Sequence, residues 1–231
     1  MEALTPAEWA ALGLSLKVAG WAVAGALVPG IIVAWALARG AFYGRNLLNG
    51  LVHLPLILPP VVTGYVLLLG FGRQGPLGRW LEDMFGIVVA FRWTGAAVAA
   101  AVMAFPLLVR AIRLAIEAVD PRLEEAAATL GAPRAMVFLT VTLPLIVPGI
   151  LAGLILAFAK AMGEFGATIT FVSNIPGQTQ TLPLAIHSAL QQPGGEGAAL
   201  RLSLIATAVA MIALLASEGV SRAVARRIGA K

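Results

Sequence analysis

The sequence predicts an all-α integral membrane protein with about five transmembrane helices, and three observations carry that expectation. Of its 231 residues, 60% are hydrophobic and only 12% charged, about half the charged share of a soluble domain. So few charges cannot clothe a whole surface in polar groups, and the mean hydropathy of +0.92 says the same, so lipid must cover much of it. Apolar stretches recur at about the 17–25 residues that a helix needs to cross the hydrocarbon core. Lys and Arg are distributed unevenly between those stretches, as orientation in a bilayer requires.

The expected spans are about 12–38, 47–71, 93–109, 141–161 and 202–220, forming one transmembrane domain over 1–231. Lys17 lies near enough to the start of the first to snorkel to the interface. The acidic stretch from Met1 to Trp9 has no basic n-region, and the apolar run after it exceeds a signal peptide's, so it is expected to remain as a span. Between the fourth and fifth spans, Gly163 to Leu200 contains Glu164, Asn174, Pro176, Gly177 and the polar run Gln191 to Glu196. It reads as an ordered loop with one short surface helix near Leu184.

With the N-terminus outside, the inner segments hold Arg39, Arg45, Arg110, Arg113, Arg122, Arg134, Arg222, Arg226, Arg227 and Lys231. The outer segments hold Lys17, Arg73, Arg79, Arg92, Lys160 and Arg201. That excess favours N-outside and C-inside, and makes the loop 111–140 cytoplasmic.

The formal charge of +5 does not point to nucleic acid, because the basic residues form no stripe with interleaved aromatics. The absence of cysteine excludes disulfides and thiolate metal sites. His53 and His187 sit in separate segments, so no metal site is expected, and no catalytic residue stands out. A phosphate-binding P-loop needs G-x-x-x-x-G-K-[ST]. None of Lys17, Lys160 and Lys231 follows a glycine or precedes Ser or Thr, so this chain does not hydrolyse ATP by that route.

Two spans are irregular. The second holds Pro55, Pro59 and Pro60, and the fourth holds Pro144 and Pro148. Each proline removes a helix donor and crowds the preceding turn, so kinks or breaks are expected. A moving gate on a transport pathway and a kink that only fits helix packing both remain open here. Gly149 and Gly153 form a GxxxG that permits close helix approach.

The cytoplasmic loop is the most informative stretch. Asp120 is placed to cap a helix and Pro121 to occupy its first position. The helix from Arg122 to Leu130 sets Leu123, Ala127 and Leu130 on one side, and Glu124 and Glu125 suit its positive end. Gly131 can take the left-handed conformation that stops it, and Ala132-Pro133 restarts the chain toward the fourth span. Small residues Ala126, Ala127 and Ala128 leave a shallow face, open either to a partner protein or to the bilayer edge.

Glu125-Ala126-Ala127, three residues, Gly131, nine residues and Val141-Thr142-Leu143-Pro144 resemble the EAA loop of ABC importer permeases. Val141 in place of isoleucine is the one departure. The resemblance implies that Glu125, Ala126, Ala127, Gly131, Leu143 and Pro144 belong to a coupling loop that docks on ATPase subunits. The run His53 to Pro60, the run Gly163 to Gly177, and Gln192-Pro193-Gly194-Gly195-Glu196 resemble the molybdate permeases in particular. Some of those relatives carry an additional N-terminal span, for which this chain begins too late.

The resemblance implies a homodimer of permease chains in a bacterial cytoplasmic (inner) membrane, with two ABC ATPase subunits and a periplasmic or extracellular molybdate-binding protein. It implies no cofactor in this chain, with ATP and Mg on the partner ATPase. Transport would proceed by alternating access through a rigid-body switch. Tungstate shares molybdate's shape and charge. Sulfate or thiosulfate is the alternative within the class. An ion-gradient carrier would need midplane coupling acids and an internal repeat, and neither is found. A non-transporting scaffold leaves the kinked spans without purpose.

Along the pathway, Glu164 lies one turn after Lys160, where the two can pair. A carboxylate suits a pair or gate better than direct contact with an anion. Thr63, Thr168, Thr170 and Ser173 are candidate hydroxyl donors to a tetrahedral oxyanion, with helix packing and loop hydrogen bonding as the plain alternative.

Overall fold

The computed structural model describes residues 4–228. Met1, Glu2 and Ala3 of the acidic N-terminal stretch, and Lys231 of the inner basic set, lie outside the described residues, as do the side chains of Arg222, Arg226 and Arg227. Every regular element among the described residues is helical.

Helix α1 (Pro6–Arg39) opens with a capping box, in which Thr5 and Glu8 satisfy each other's backbone N–H groups. Its buried face is Ala11, Ser15, Val18, Ala22, Ala26, Ala34 and Leu37, mostly small side chains that let a neighbouring backbone come close. That neighbour is α5 (Trp93–Glu117), whose own buried face runs through Ala96, Ala100, Met103, Ala104, Leu108, Ile112 and Ile116. The two helices run parallel. Lys17 Nζ stands 3.8 Å above the Trp93 ring at one end, and the Arg39 guanidinium donates to the Val119 carbonyl at the other, at 2.9 Å.

A parallel pair obliges the intervening chain to return across the bundle. It does so through α2 (Arg45–Ile57) and α3 (Pro60–Phe71), followed by α4 (Pro76–Phe85). The expected single span over 47–71 is not one rod: α2 and α3 meet at a bend of 115°. Leu58 and Pro59 both precede a proline, are barred from the helical region and adopt extended backbone. Four helices are individually long and apolar enough to span, or five with the bent pair taken as one.

The third span also differs. It continues past Val109 to Glu117, because Arg113 pairs with Glu117 at 2.8 Å and donates to Asn49 Oδ1 of α2 at 3.1 Å. A charge at that position therefore extends the helix beyond the apolar run rather than ending it. The fourth span runs from α7 (Arg134–Val137) through a π-helical turn (Phe138–Thr142) into α8 (Leu143–Met162). Pro144 has no N–H for the carbonyl four residues back, and the turn before it widens so that Leu143 N–H bonds the Phe138 carbonyl. The GxxxG face of α8 packs on α5: Gly149 lies against Ala115, and a Cβ on Gly153 would stand 3.0 Å from that of Ala111.

Residues 163–200 hold two helices, α9 (Gly166–Val172) and α10 (Leu182–Leu190), rather than a loop with one surface helix. Leu182 and Leu184 are wholly buried, and Leu182 N–H donates to Ser15 Oγ of α1 at 2.6 Å. The helix near Leu184 is thus an internal wedge, because its apolar side faces α1 and α11. The last span, α11 (Glu196–Ile228), begins six residues before Leu202. Its second turn is tied down by Arg201, which reaches Glu8 of α1 at 2.6 Å.

Candidate functional site

Two regions bring the sequence-selected residues together. At the Arg39 end of the bundle, Asp120 Oδ1 accepts the Arg122 N–H at 3.0 Å and starts α6 (Pro121–Thr129). Gly131 stops it at φ 85°, with Gly131 N–H to the Ala128 carbonyl and Ala132 N–H to the Ala127 carbonyl, a Schellman arrangement. Helix α7 follows after Pro133. Glu125, Ala126 and Gly131 are exposed and Ala127 half-buried, while Leu143 and Pro144 stand at the first turn of α8. No residue of α6 is buried.

What holds α6 to the bundle is Glu124. Its Oε1 accepts from Thr142 Oγ1 at 2.7 Å, and its Oε2 lies 3.2 Å from Arg39 Nε. Among the described residues Arg39 Nε makes no hydrogen bond, so this second contact is one of charge rather than direction. A cavity of about 580 Å³ opens beside it, between Arg39, Pro121, Glu125, Arg134 and Phe138.

The second region lies where α3 crosses α9. Gly166 packs on Pro60, with its would-be Cβ 2.7 Å from that of the proline, and Phe71 and Phe171 meet at 6.4 Å between ring centroids. The proline-rich run and the Gly163–Gly177 run, remote in sequence, therefore touch along one seam. Glu164 is 3% exposed. Its Oε1 accepts the Ala167 N–H at 2.9 Å, and its Oε2 lies 3.4 Å from Lys160 Nζ. The carboxylate thus meets both a free amide at the start of α9 and a cation.

The four hydroxyl candidates differ in what they have left to offer. Thr170 Oγ1 donates to the Gly166 carbonyl at 2.9 Å, so its proton is used. Thr168 is buried on α9. Ser173 is exposed, with φ 64°. Thr63 is 6% exposed, and among the described residues its Oγ1 has no partner.

Residues 26–229 match the protein family described as the inner membrane component of binding-protein-dependent transport systems. This chain belongs to that family. The permease is 58% identical over 226 residues to the molybdenum transport system permease protein of Escherichia coli, covering 98% of this chain and 99% of that one. It is 53% identical over 222 residues to the counterpart from Haemophilus influenzae, covering 96% and 97%. Against the sulfate transport system permease protein CysT of Escherichia coli it is 42% identical over 165 residues, 71% of this chain and 59% of the other. Among solved structures, a bacterial alginate ABC transporter bound to its periplasmic protein superposes with a TM-score of 0.73 at 18% identity, covering 98% of this chain and 81% of that chain. An amino acid ABC transporter superposes with a TM-score of 0.60 at 22% identity, covering 96% and 94%. These two establish the fold.

Sequence reasoning passed over several residues of the permease that its geometry brings forward. In the sequence, Glu124 stands out only for its place near a helix dipole, and Arg39 only as a charge setting orientation. Thr142 falls inside the stretch before Pro144 without being singled out. Each acts through a partner at least 18 positions away, and a local pattern carries no trace of such pairings. Gly64 is similar: its place against α9 follows from the break at Pro59-Pro60, a signal that was present but did not give the partner.

Proposed function

We propose that this chain is the membrane-spanning permease subunit of an ATP-driven importer that moves molybdate, or the equally shaped tungstate, into the cell. The observation that carries the reading is the 58% identity to a molybdenum permease across 98% of the chain. The relative named for sulfate shares less identity over a smaller share. Two copies of the chain would enclose the pathway, since five spans are few to do so alone. Two ATPase subunits would bind ATP and Mg and dock on Glu125, Ala126, Ala127 and Gly131, and a binding protein would deliver the anion outside. The 111–140 loop and the C-terminus would face the cytoplasm of a bacterium and the N-terminus the outside of its inner membrane. The chain itself carries no P-loop, so hydrolysis belongs to the partner.

In this scheme, closure of the ATPase pair draws the two α6 helices together and turns the pathway outward, and hydrolysis resets it. The exposed, shallow alanine face of α6 supports its role as the docked surface. The α3–α9 seam is the proposed wall of the pathway. Glu164 there serves as a structural pair with Lys160, and Thr63 is the donor with an unused proton.

The test is reconstitution of the chain with its ATPase and binding protein in proteoliposomes, followed by uptake of labelled molybdate and of sulfate. ATP-dependent molybdate uptake is expected, with sulfate at most weakly carried. Uptake without the ATPase would refute the coupling, and preference for sulfate would move the substrate to the alternative.

A further inference from the structure

Helix α6 is attached to the rest of the protein in an unusual way. It buries none of its residues, and its apolar side chain Leu123 is 49% exposed. Its backbone links are short and include Gly131 in the left-handed region, where the chain can pivot. Among the described residues, Glu124 is the α6 side chain that makes a hydrogen bond or ion pair to another helix. A push on a helix held only at its ends would be spent bending those ends.

Glu124 meets two spans at once. Arg39 is the last residue of α1, and it also bonds the Val119 carbonyl just beyond α5. Thr142 is 1% exposed and ends the π-helical turn that leads into α8. The same ends of α1 and the turn are joined by Trp35 and Phe138, edge to face at 6.5 Å. Wide turns of this kind often sit at functional positions. The carboxylate thus stands at a junction of the first span, the end of the third and the start of the fourth.

We propose that Glu124, held between Arg39 and Thr142, is the brace through which movement of α6 reaches the first and fourth spans. Arg39 and Thr142 are positioning residues: they act through Glu124 and touch neither nucleotide nor the transported anion. The proposal rests on the importer reading above for what moves α6, and on the side-chain geometry alone for the brace itself. Docking and transmission are then divided between adjacent residues, with Glu125 facing outward to the partner and Glu124 inward to the spans.

The test uses the assembled transporter in proteoliposomes, with molybdate imported per ATP hydrolysed as the readout. Glu124→Gln and Arg39→Gln are each expected to co-purify with the ATPase at the wild-type level yet lower that ratio about tenfold. Exchanging the charges, Arg39→Glu together with Glu124→Arg, is expected to restore it to within about threefold. Thr142→Val keeps the ion pair and is expected to lower the ratio about threefold. A wild-type ratio in both single variants overturns the brace. Loss of the ATPase from them also overturns it, because Glu124 would then be a docking residue. Hydrogen exchange on the full chain in nanodiscs reads the brace without transport: α6 amides are expected to exchange about tenfold faster in Arg39→Gln. Unchanged exchange refutes it. If the wild-type complex imports nothing with ATP, the importer reading fails while the exchange result still decides the brace.

Discussion

Gly64 of α3 lies directly on the backbone of Ala167 in α9: a Cβ built on Gly64 would stand 2.5 Å from the Ala167 carbonyl oxygen and 2.9 Å from its Cα. Neither atom is the movable end of a side chain, so the seam cannot absorb even a methyl without shifting a helix. Gly64→Ala is expected to destabilise the permease by about 1–3 kcal/mol, read as a lower midpoint of thermal unfolding in detergent. Gly50→Ala is the control, because nothing lies within 4 Å of a Cβ there. Equal midpoints for the two variants would contradict the close approach.

Glu164 combines a buried charge with two partners of different kinds, and its variants separate them. Glu164→Gln keeps an oxygen for the Ala167 N–H but gives up the pairing with Lys160. Glu164→Ala loses both, so its cost should exceed that of Glu164→Gln by about 1–2 kcal/mol. Lys160→Met leaves the carboxylate buried without its cation, and should cost more alone than when combined with Glu164→Gln. Unfolding midpoints of the four variants check the order. A double variant worse than Lys160→Met would remove the case for a structural pair.

The membrane class and most of the long apolar helices were legible because they depend on local averages. A run such as 12–38 is apolar whatever it packs against, and Asp120-Pro121 caps a helix by its own chemistry. The prolines announced a disturbance in the second span, but not whether it would be a kink or a 115° bend. That choice depends on α9 offering α3 a surface to lie on at Gly166 and Ala167. The inward placement of Leu182–Leu190 has the same root. Nine residues are too few to register as a span, and their polar flanks suggested a surface, while the burial of Leu184 comes from α1 and α11, remote in the chain. In the loop, the motif proposed to dock was readable as a pattern of residue types. The inward-facing partner of that motif, Glu124, needed coordinates.

Glu8 and Arg201 close the other end of the bundle. Both are largely buried, at 8% and 18% side-chain exposure, and Arg201 Nη2 reaches Glu8 Oε1 at 2.6 Å across 193 positions of sequence. The contact ties the start of α1 to the second turn of α11. A double-mutant cycle with Glu8→Gln and Arg201→Met is expected to return a coupling of about 1–3 kcal/mol in unfolding free energy. Additive effects would mean that solvent or other partners replace the pair at no cost.

Gly131 is the residue of the proposed docking loop whose requirement is purely conformational. Its φ of 85° is one that side chains disfavour, yet a Cβ there would meet nothing within 4 Å. Crowding therefore cannot explain a loss on substitution, and strain can. Gly131→Ala should raise the energy of the turn by about 1–2 kcal/mol, Gly131→Asn by less, since asparagine tolerates this region, and Gly131→Val by most, because of its branched Cβ. The spans do not depend on this turn, so their unfolding midpoint should stay close to wild type in all three. What should fall is the amount of ATPase that co-purifies with the permease, in the order asparagine, alanine, valine. Strain at Gly131 re-aims α6 relative to α7, and a docked helix tolerates little change of angle. If Gly131→Val binds its ATPase and transports like the wild type, the docking role assigned to this loop is wrong.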